Sequence, residues 1–192
     1  MPGCWADGSD ALLSDYHDTE WGRPVTSESG LYERMCLEGF QSGLSWRTVL
    51  VKRPAFREAF AGFDPEVVAG FRAADVERLM LDARIVRNRR KIEATVVNAR
   101  AVLALGTPLA ELLRAAAPAP GPAPVTLADV PASTPASEAL ALDLRRNGFT
   151  FVGPRTVYAL MQACGLLNDH LVGCPVRLEV EQEQSAARAA GR

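Results

Sequence analysis

Tyr16-His17-Asp18-Thr19-Glu20-Trp21-Gly22 holds one of only two histidines in the chain, set between two large aromatics and beside three residues that carry or share a proton. A histidine in such company is more often a hydrogen-bonded core residue than a ligand. The far end of the chain shifts that balance. There His170-Leu171-Val172-Gly173-Cys174 supplies the second histidine with a cysteine four positions on, and Cys4 lies thirteen residues before His17. The two ends together offer Cys4, His17, His170 and Cys174, a Cys2His2 set of the kind zinc takes. Four protein donors leave no position for water, so such an ion would be structural, clasping the N- and C-terminal segments together. A helical segment would put His170 and Cys174 on one face. The Cys4-x12-His17 spacing matches no tight knuckle, and two buried thiols with two unrelated histidines stay open as the plainer alternative.

The 192 residues, 48% of them hydrophobic, suffice for a full core in one domain of two helical lobes. No apolar run approaches a bilayer span and no signal-peptide layout opens the chain, so the expectation is a soluble, cytoplasmic protein without a membrane partner. Cysteines at 4, 36, 164 and 174 form no disulfide-scaffold pattern, which fits a reducing compartment. A formal net charge of -2 argues against a general nucleic-acid coat and leaves room only for a local basic face.

Outward from the opening stretch, the first 25 residues show little helical periodicity and several turn formers, so a metal is the expected tether. Helical patterning starts at Ser27 and stops near Gly39, and Ser45 caps a helix holding Trp46, Val49 and Leu50. Glu38 to Trp46 therefore reads as a helix end, a tight loop and a helix start. Pro54 and Pro65 are each placed to open a short helix. Residues 73–80 continue the pattern, and a longer helix follows from about Val86 to Leu105. Its Arg87, Arg89, Arg90 and Lys91 form a basic cluster, read equally as a solvated face or a phosphate-facing patch. Thr107-Pro108 opens a further helix, and the Ala/Pro-rich stretch at about 115–125 reads as an extended surface loop. Helices from Ser137 to about Asn147 and from Pro154 to Cys164 flank Phe149-Thr150-Phe151-Val152-Gly153, read as a short hairpin. No period-2 run of β-branched residues appears, so the fold class is all-α. Residues 175–192 are expected to form a frayed, disordered tail.

Two stretches besides the clasp carry chemistry. At the hairpin, Gly153, Arg155 and Thr156 open a helix whose free N–H groups suit a phosphate, although an ordinary interhelical turn is an equal alternative. Leu37-Glu38-Gly39-Phe40-Gln41-Ser42-Gly43-Leu44-Ser45-Trp46 mixes a carboxylate, an amide, an outward Leu and a Trp around glycines. Such content suits a pocket for a flat ligand with polar edges.

These residues also carry a resemblance. Cys4, Tyr16-His17-Asp18 with Glu20-Trp21-Gly22, Leu37-Glu38-Gly39, Gln41, Gly43-Leu44-Ser45-Trp46, Arg89 with Lys91-Ile92 and Asn98-Ala99-Arg100 are similar to the DNA-3-methyladenine glycosylase I family. So are Gly148-Phe149, Phe151-Val152-Gly153, Met161-Gln162-Ala163-Cys164-Gly165 and Asn168-Asp169-His170 with Gly173-Cys174. The resemblance spans about residues 4–174 and implies a helix-hairpin-helix glycosylase domain ending there, with one structural zinc on the four ligands. It implies excision of 3-methyladenine from alkylated double-stranded DNA by a monomer that flips the base and does not cleave the strand. Glu38 would be the catalytic carboxylate and would bind the base together with Tyr16, Trp21 and Trp46. Leu44 would fill the gap in the DNA stack, while Gly153, Arg155 and Thr156 would hold the backbone.

Two departures stand out. Cys4 and Trp5 are adjacent where the family has one residue between, which puts the reach of Trp5 to the pocket in question. Leu13 stands where relatives often carry an aromatic. Asp169 falls near where other glycosylases of the superfamily place an aspartate. The readings from other classes are a zinc-clasped DNA-binding module without chemistry and a zinc hydrolase with one open metal position.

Overall fold

The computed structural model describes residues 4–6 and 8–190, and among these it contains no strand. Among the described residues, ten α-helices run in the order α1 (Ala11–Thr19), α2 (Glu28–Gln41), α3 (Trp46–Ala59), α4 (Pro65–Ala69), α5 (Ala73–Leu81), α6 (Arg89–Ala104), α7 (Leu109–Ala115), α8 (Pro135–Arg146), α9 (Pro154–Ala163) and α10 (Arg177–Ala190). No single one is long and apolar enough to cross a membrane.

α2 is the hub. Residues 31 to 40 are all buried, so this helix is wrapped on every side, by α3, α4, α6, α7 and α9 among others. That explains its weak amphipathicity and leaves three charged residues to be accommodated inside. Glu33 accepts from Arg57 Nε at 3.0 Å, and Arg34 donates to Glu20 Oε2 at 2.5 Å. Glu38, by contrast, has neither hydrogen bond nor ion pair among the described residues.

Several local expectations need correction. The segment before residue 25 contains α1. Asp10 starts it by accepting from the N–H groups of Leu12 and Leu13 at 3.0 and 3.2 Å, and its buried Tyr16 and His17 face a small aromatic cluster rather than an apolar stripe. Pro54 does not open a helix but lies inside α3, on its exposed side, where only the bond to the Leu50 carbonyl is forgone. α8 starts at Pro135, two residues before Ser137, and needs a cap there. Thr134 takes that role, with Pro135 at the first position and Ser137 returning the bond. The link between α8 and α9 is a turn without strands, made by Gly148 at φ +88 and Phe151 at φ +56.

Most of the stretch expected as a frayed tail is helical: Arg177–Ala190 form α10, and residues 191 and 192 lie outside the described residues. α10 buries Val180 and Gln184, and Arg23 reaches Glu179 at 3.1 Å and, more closely, Glu183. Its run of Glu, Gln and Ala favours helix, and two buried residues one turn apart dock it. The Ala/Pro stretch does run extended as expected. It is tied to these C-terminal elements by Val172 N donating to the Pro124 carbonyl at 2.8 Å and by Arg188 donating to the Pro118 carbonyl at 3.0 Å.

Candidate active site and metal centre

Four helices and several of the segments that join them line one cavity of about 320 Å³. α1 and the turn after it supply Tyr16 and Trp21, α2 supplies Glu38 and Gln41, and Trp46 opens α3. Ala159 and Gln162 come from α9, Asp169 from the segment beyond it, and Leu127 and Val130 from the loop between α7 and α8. The four residues expected around a base, Tyr16, Trp21, Glu38 and Trp46, are thus brought together. Trp5 also lines the cavity, with its ring 5.5 Å from Trp21 and edge-on to it. The adjacency of Cys4 and Trp5 therefore does not keep that indole away. Leu13 packs behind the same aromatic cluster instead of lining the space.

Two features mark the cavity as a ligand site. Trp5 Nε1, Tyr16 Oη and Trp46 Nε1 are buried without a hydrogen-bond partner, an arrangement that costs about 1–3 kcal/mol per group until something accepts from them. Burial also pushes the Glu38 carboxyl up to about 8, with the Arg34 charge opposing only in part. Arg34 is itself engaged: it and Arg53 both bind Glu20, with Arg53 donating at 2.8 and 2.5 Å, and its guanidinium lies 5.4 Å over the Tyr16 ring. Despite partial burial, the two guanidinium groups hold Glu20 down at about 2.

Beside the cavity, the donor atoms of Cys4, His17, His170 and Cys174 all lie within 4.8 Å of one another. His17 Nε2 is 3.1 Å from His170 Nδ1, and Cys174 Sγ is 3.7 and 3.4 Å from the same two nitrogens. Ligands about 2.0–2.3 Å from a tetrahedral ion stand apart by roughly these distances, so the four residues fit one metal. The remaining ring nitrogens are oriented from outside. His17 Nδ1 meets Asp18 Oδ1 at 2.6 Å, and His170 Nε2 donates to the Trp21 carbonyl at 3.1 Å. Against burial, hydrogen bonds with the two histidines draw the Cys4 thiol down to about 5, toward the thiolate a metal requires. The segment from His170 to Cys174 is not helical, so the shared face a helix would give does not arise; the two side chains converge from a turn closed by Cys174 N donating to the Leu171 carbonyl at 2.9 Å.

The residues assigned to DNA lie outside the cavity lining. Leu44 projects from the α2–α3 loop at 40% exposure, beside Gly43 at φ +82. Gly153 caps α9, Arg155 is exposed, and Thr156 is half-buried on its first turn. Sequence reasoning did not single out Leu127, Val130, Ala159 or Gln162 as site residues. Gln162 falls within a motif quoted for the family resemblance, whereas no local pattern marks the other three, which line the cavity only once the chain has folded.

An all-helical chain with an aromatic cavity beside a helix-turn-helix pair and a Cys2His2 cluster has the fold of the helix-hairpin-helix DNA glycosylases. Residues 5–178 match the methyladenine glycosylase family model. The Escherichia coli (strain K12) protein DNA-3-methyladenine glycosylase 1 is 47% identical over 180 residues, covering 91% of this chain and 96% of that relative. A crystal structure of 3-methyladenine DNA glycosylase I superimposes with a TM-score of 0.86 at 46% identity, over 90% of this chain and 98% of that one. A second, of a variant of 3-methyladenine DNA glycosylase I in complex with 3-methyladenine, gives 0.86 at 34% identity over 92% and 98%. The chain belongs to the methyladenine glycosylase family.

Proposed function

We infer that this protein is a DNA-3-methyladenine glycosylase of base-excision repair, hydrolysing the N-glycosidic bond of 3-methyladenine in alkylated double-stranded DNA. The observation that carries the assignment is the cavity, where a carboxyl without a partner faces three buried donors without acceptors. A purine methylated at N3 is cationic, flat and polar-edged, and the cavity complements each property. The Glu38 carboxylate accepts from its edge and favours its charge, while Tyr16, Trp21 and Trp46 stack around it. The base reaches the cavity only after leaving the DNA stack.

The cationic base is a good leaving group. When the C1′–N9 bond breaks, the electron pair goes to the purine, which departs neutral, and water adds at C1′ with its proton passing to solvent. Little acid catalysis is needed. No lysine lines the cavity, which supports a monofunctional enzyme without a Schiff base or strand cleavage. Leu44 fills the gap in the stack, and Gly153, Arg155 and Thr156 hold the backbone. Cys4, His17, His170 and Cys174 would hold one zinc ion, which with four protein donors would be a structural tie between the N- and C-terminal segments. Because His17 and His170 pack on Trp21, with ring centroids 5.9 and 4.6 Å away, that tie also holds a wall of the cavity.

Release of 3-methyladenine from methylated DNA tests the assignment. Freshly prepared protein that binds DNA yet releases no base would return the chain to a DNA-binding module. Metal analysis and spectroscopy of cobalt-substituted protein test the site: four protein ligands are expected, and a bound water would contradict a structural role.

A further inference from the structure

Helix α6 buries three polar side chains that the reaction does not use, Lys91, Thr95 and Asn98, and the first and last of them reach out to loops. Lys91 is 8% exposed, and its Nζ donates to the carbonyls of Phe40 at 2.9 Å and Ser42 at 2.5 Å. Those carbonyls lie at the C-terminus of α2, where a cation is favoured because the last carbonyls lack helical partners. They flank Gln41, whose own carbonyl accepts from Leu44 N at 2.6 Å. The ammonium thus fixes the root of the loop whose tip is Leu44.

Asn98 is 3% exposed and spends its whole amide on one residue of the α8–α9 turn. Its Nδ2 donates to the Thr150 carbonyl at 3.0 Å, and its Oδ1 accepts from Thr150 N at 2.7 Å and from Thr150 Oγ1 at 3.3 Å. The next residue, Phe151, adopts φ +56, a conformation that a bulky side chain holds only when its surroundings impose it.

We propose that Lys91 and Asn98 are positioning residues for DNA engagement, and that α6 is the strut setting the spacing between the Leu44 loop and the α8–α9 turn. The proposal rests on the assignment of those two loops as DNA contacts. Seven residues are two helical turns, so the two side chains leave one face about 10 Å apart along the axis. α6 is in turn locked to α2, since Tyr32 Oη donates to the Thr95 carbonyl at 2.6 Å. The α8–α9 turn also packs against the last turns of α2, from which the Leu44 loop leaves: a Cβ at Gly39 would stand 3.7 Å from Phe151 Cβ. Each loop is gripped mainly by its backbone, with the Thr150 hydroxyl also bound, which leaves the exposed Leu44 and Arg155 free to face the duplex. For Lys91 this excludes the phosphate-facing alternative open to the basic cluster, because its charge is spent on carbonyls.

The test uses full-length, metal-loaded protein and the variants Lys91→Met and Asn98→Ala. Two affinities are measured: free 3-methyladenine by tryptophan fluorescence, and a duplex bearing a tetrahydrofuran abasic-site analogue. Positioning predicts base binding within about twofold of the parent and duplex binding weaker by about tenfold for each variant, as expected on losing two backbone hydrogen bonds. The dependence of duplex binding on salt should keep its slope, since no phosphate contact is removed. Duplex binding unchanged in a folded variant overturns the proposal, as does a slope reduced by about one for Lys91→Met, the mark of a direct phosphate contact. Should either variant fail to fold, Asn98→Asp keeps the acceptor for Thr150 and loses only the donor, and the same pair of affinities decides. Parent protein that binds the free base but not the duplex would instead overturn the loop assignment, and the strut with it.

Discussion

Replacing Glu38 with Gln should stabilise the empty protein while it abolishes excision. Burial lifts this carboxyl from its ordinary 4.5 to about 8 in the fold. The folded value lies above the unfolded one, so between about pH 4.5 and 8 the folded state holds a proton that the unfolded state has released, and stability falls as pH rises through that window. The slope is about 1.4 kcal/mol per pH unit, and at pH 7 the accumulated loss is about 3 kcal/mol. Gln does not titrate, so the variant should escape that loss, melting higher by roughly 6–12 °C at pH 7 with little difference at pH 4.5. Denaturant unfolding of both metal-loaded proteins at several pH values measures this, and the difference between them cancels the metal ligands and other carboxyls. A difference that changes by less than about 1 kcal/mol between pH 5 and 8 would refute the placement of Glu38 in a dry, unpaired site. The same variant should release no detectable 3-methyladenine, since its amide cannot offset the charge of the base.

Other perturbations have similarly direct readouts. Gly165→Ala should cost about 2–4 kcal/mol in urea unfolding, because the position has φ +72 and an added Cβ would stand 2.6 Å from the Arg23 carbonyl carbon and 2.7 Å from Gly22 O. Gln184→Ala removes donors to the carbonyls of Gly22 at 2.7 Å and Leu167 at 2.9 Å. A stability loss of about 1–3 kcal/mol is expected, with faster loss of the bound metal to a chelator, since Gly22 abuts His170. Leu44→Ala should leave stability within about 0.5 kcal/mol of the parent, as befits an exposed tip, yet lower the excision rate on duplex DNA in a single-turnover assay.

Ser27, Ser45 and Pro65 mark helix starts where the structure has them, because a cap or a first-turn proline acts on its own neighbours. Cys4, His17, His170 and Cys174 were legible as a set because so few residue types make a tetrahedral thiolate–imidazole site and this chain has only two histidines. α1 was not legible, since its buried face is Tyr16 and His17 rather than an apolar stripe. α10 was missed for the opposite reason: Val180 and Gln184 are too few to stand out among charges, and only docking onto Gly22 and Leu167 gives them meaning.

By itself, then, the sequence determined the helical class and the Cys2His2 set that the fold gathers into one cluster, both of which follow from residue type. Tertiary structure alone decided that Trp5 reaches the cavity, that Glu38 is left without a partner while Glu33 and Arg34 are paired, and that Lys91 turns inward to carbonyls. Each of those outcomes depends on what lies opposite a side chain, and that is settled only when elements far apart in the chain pack against α2.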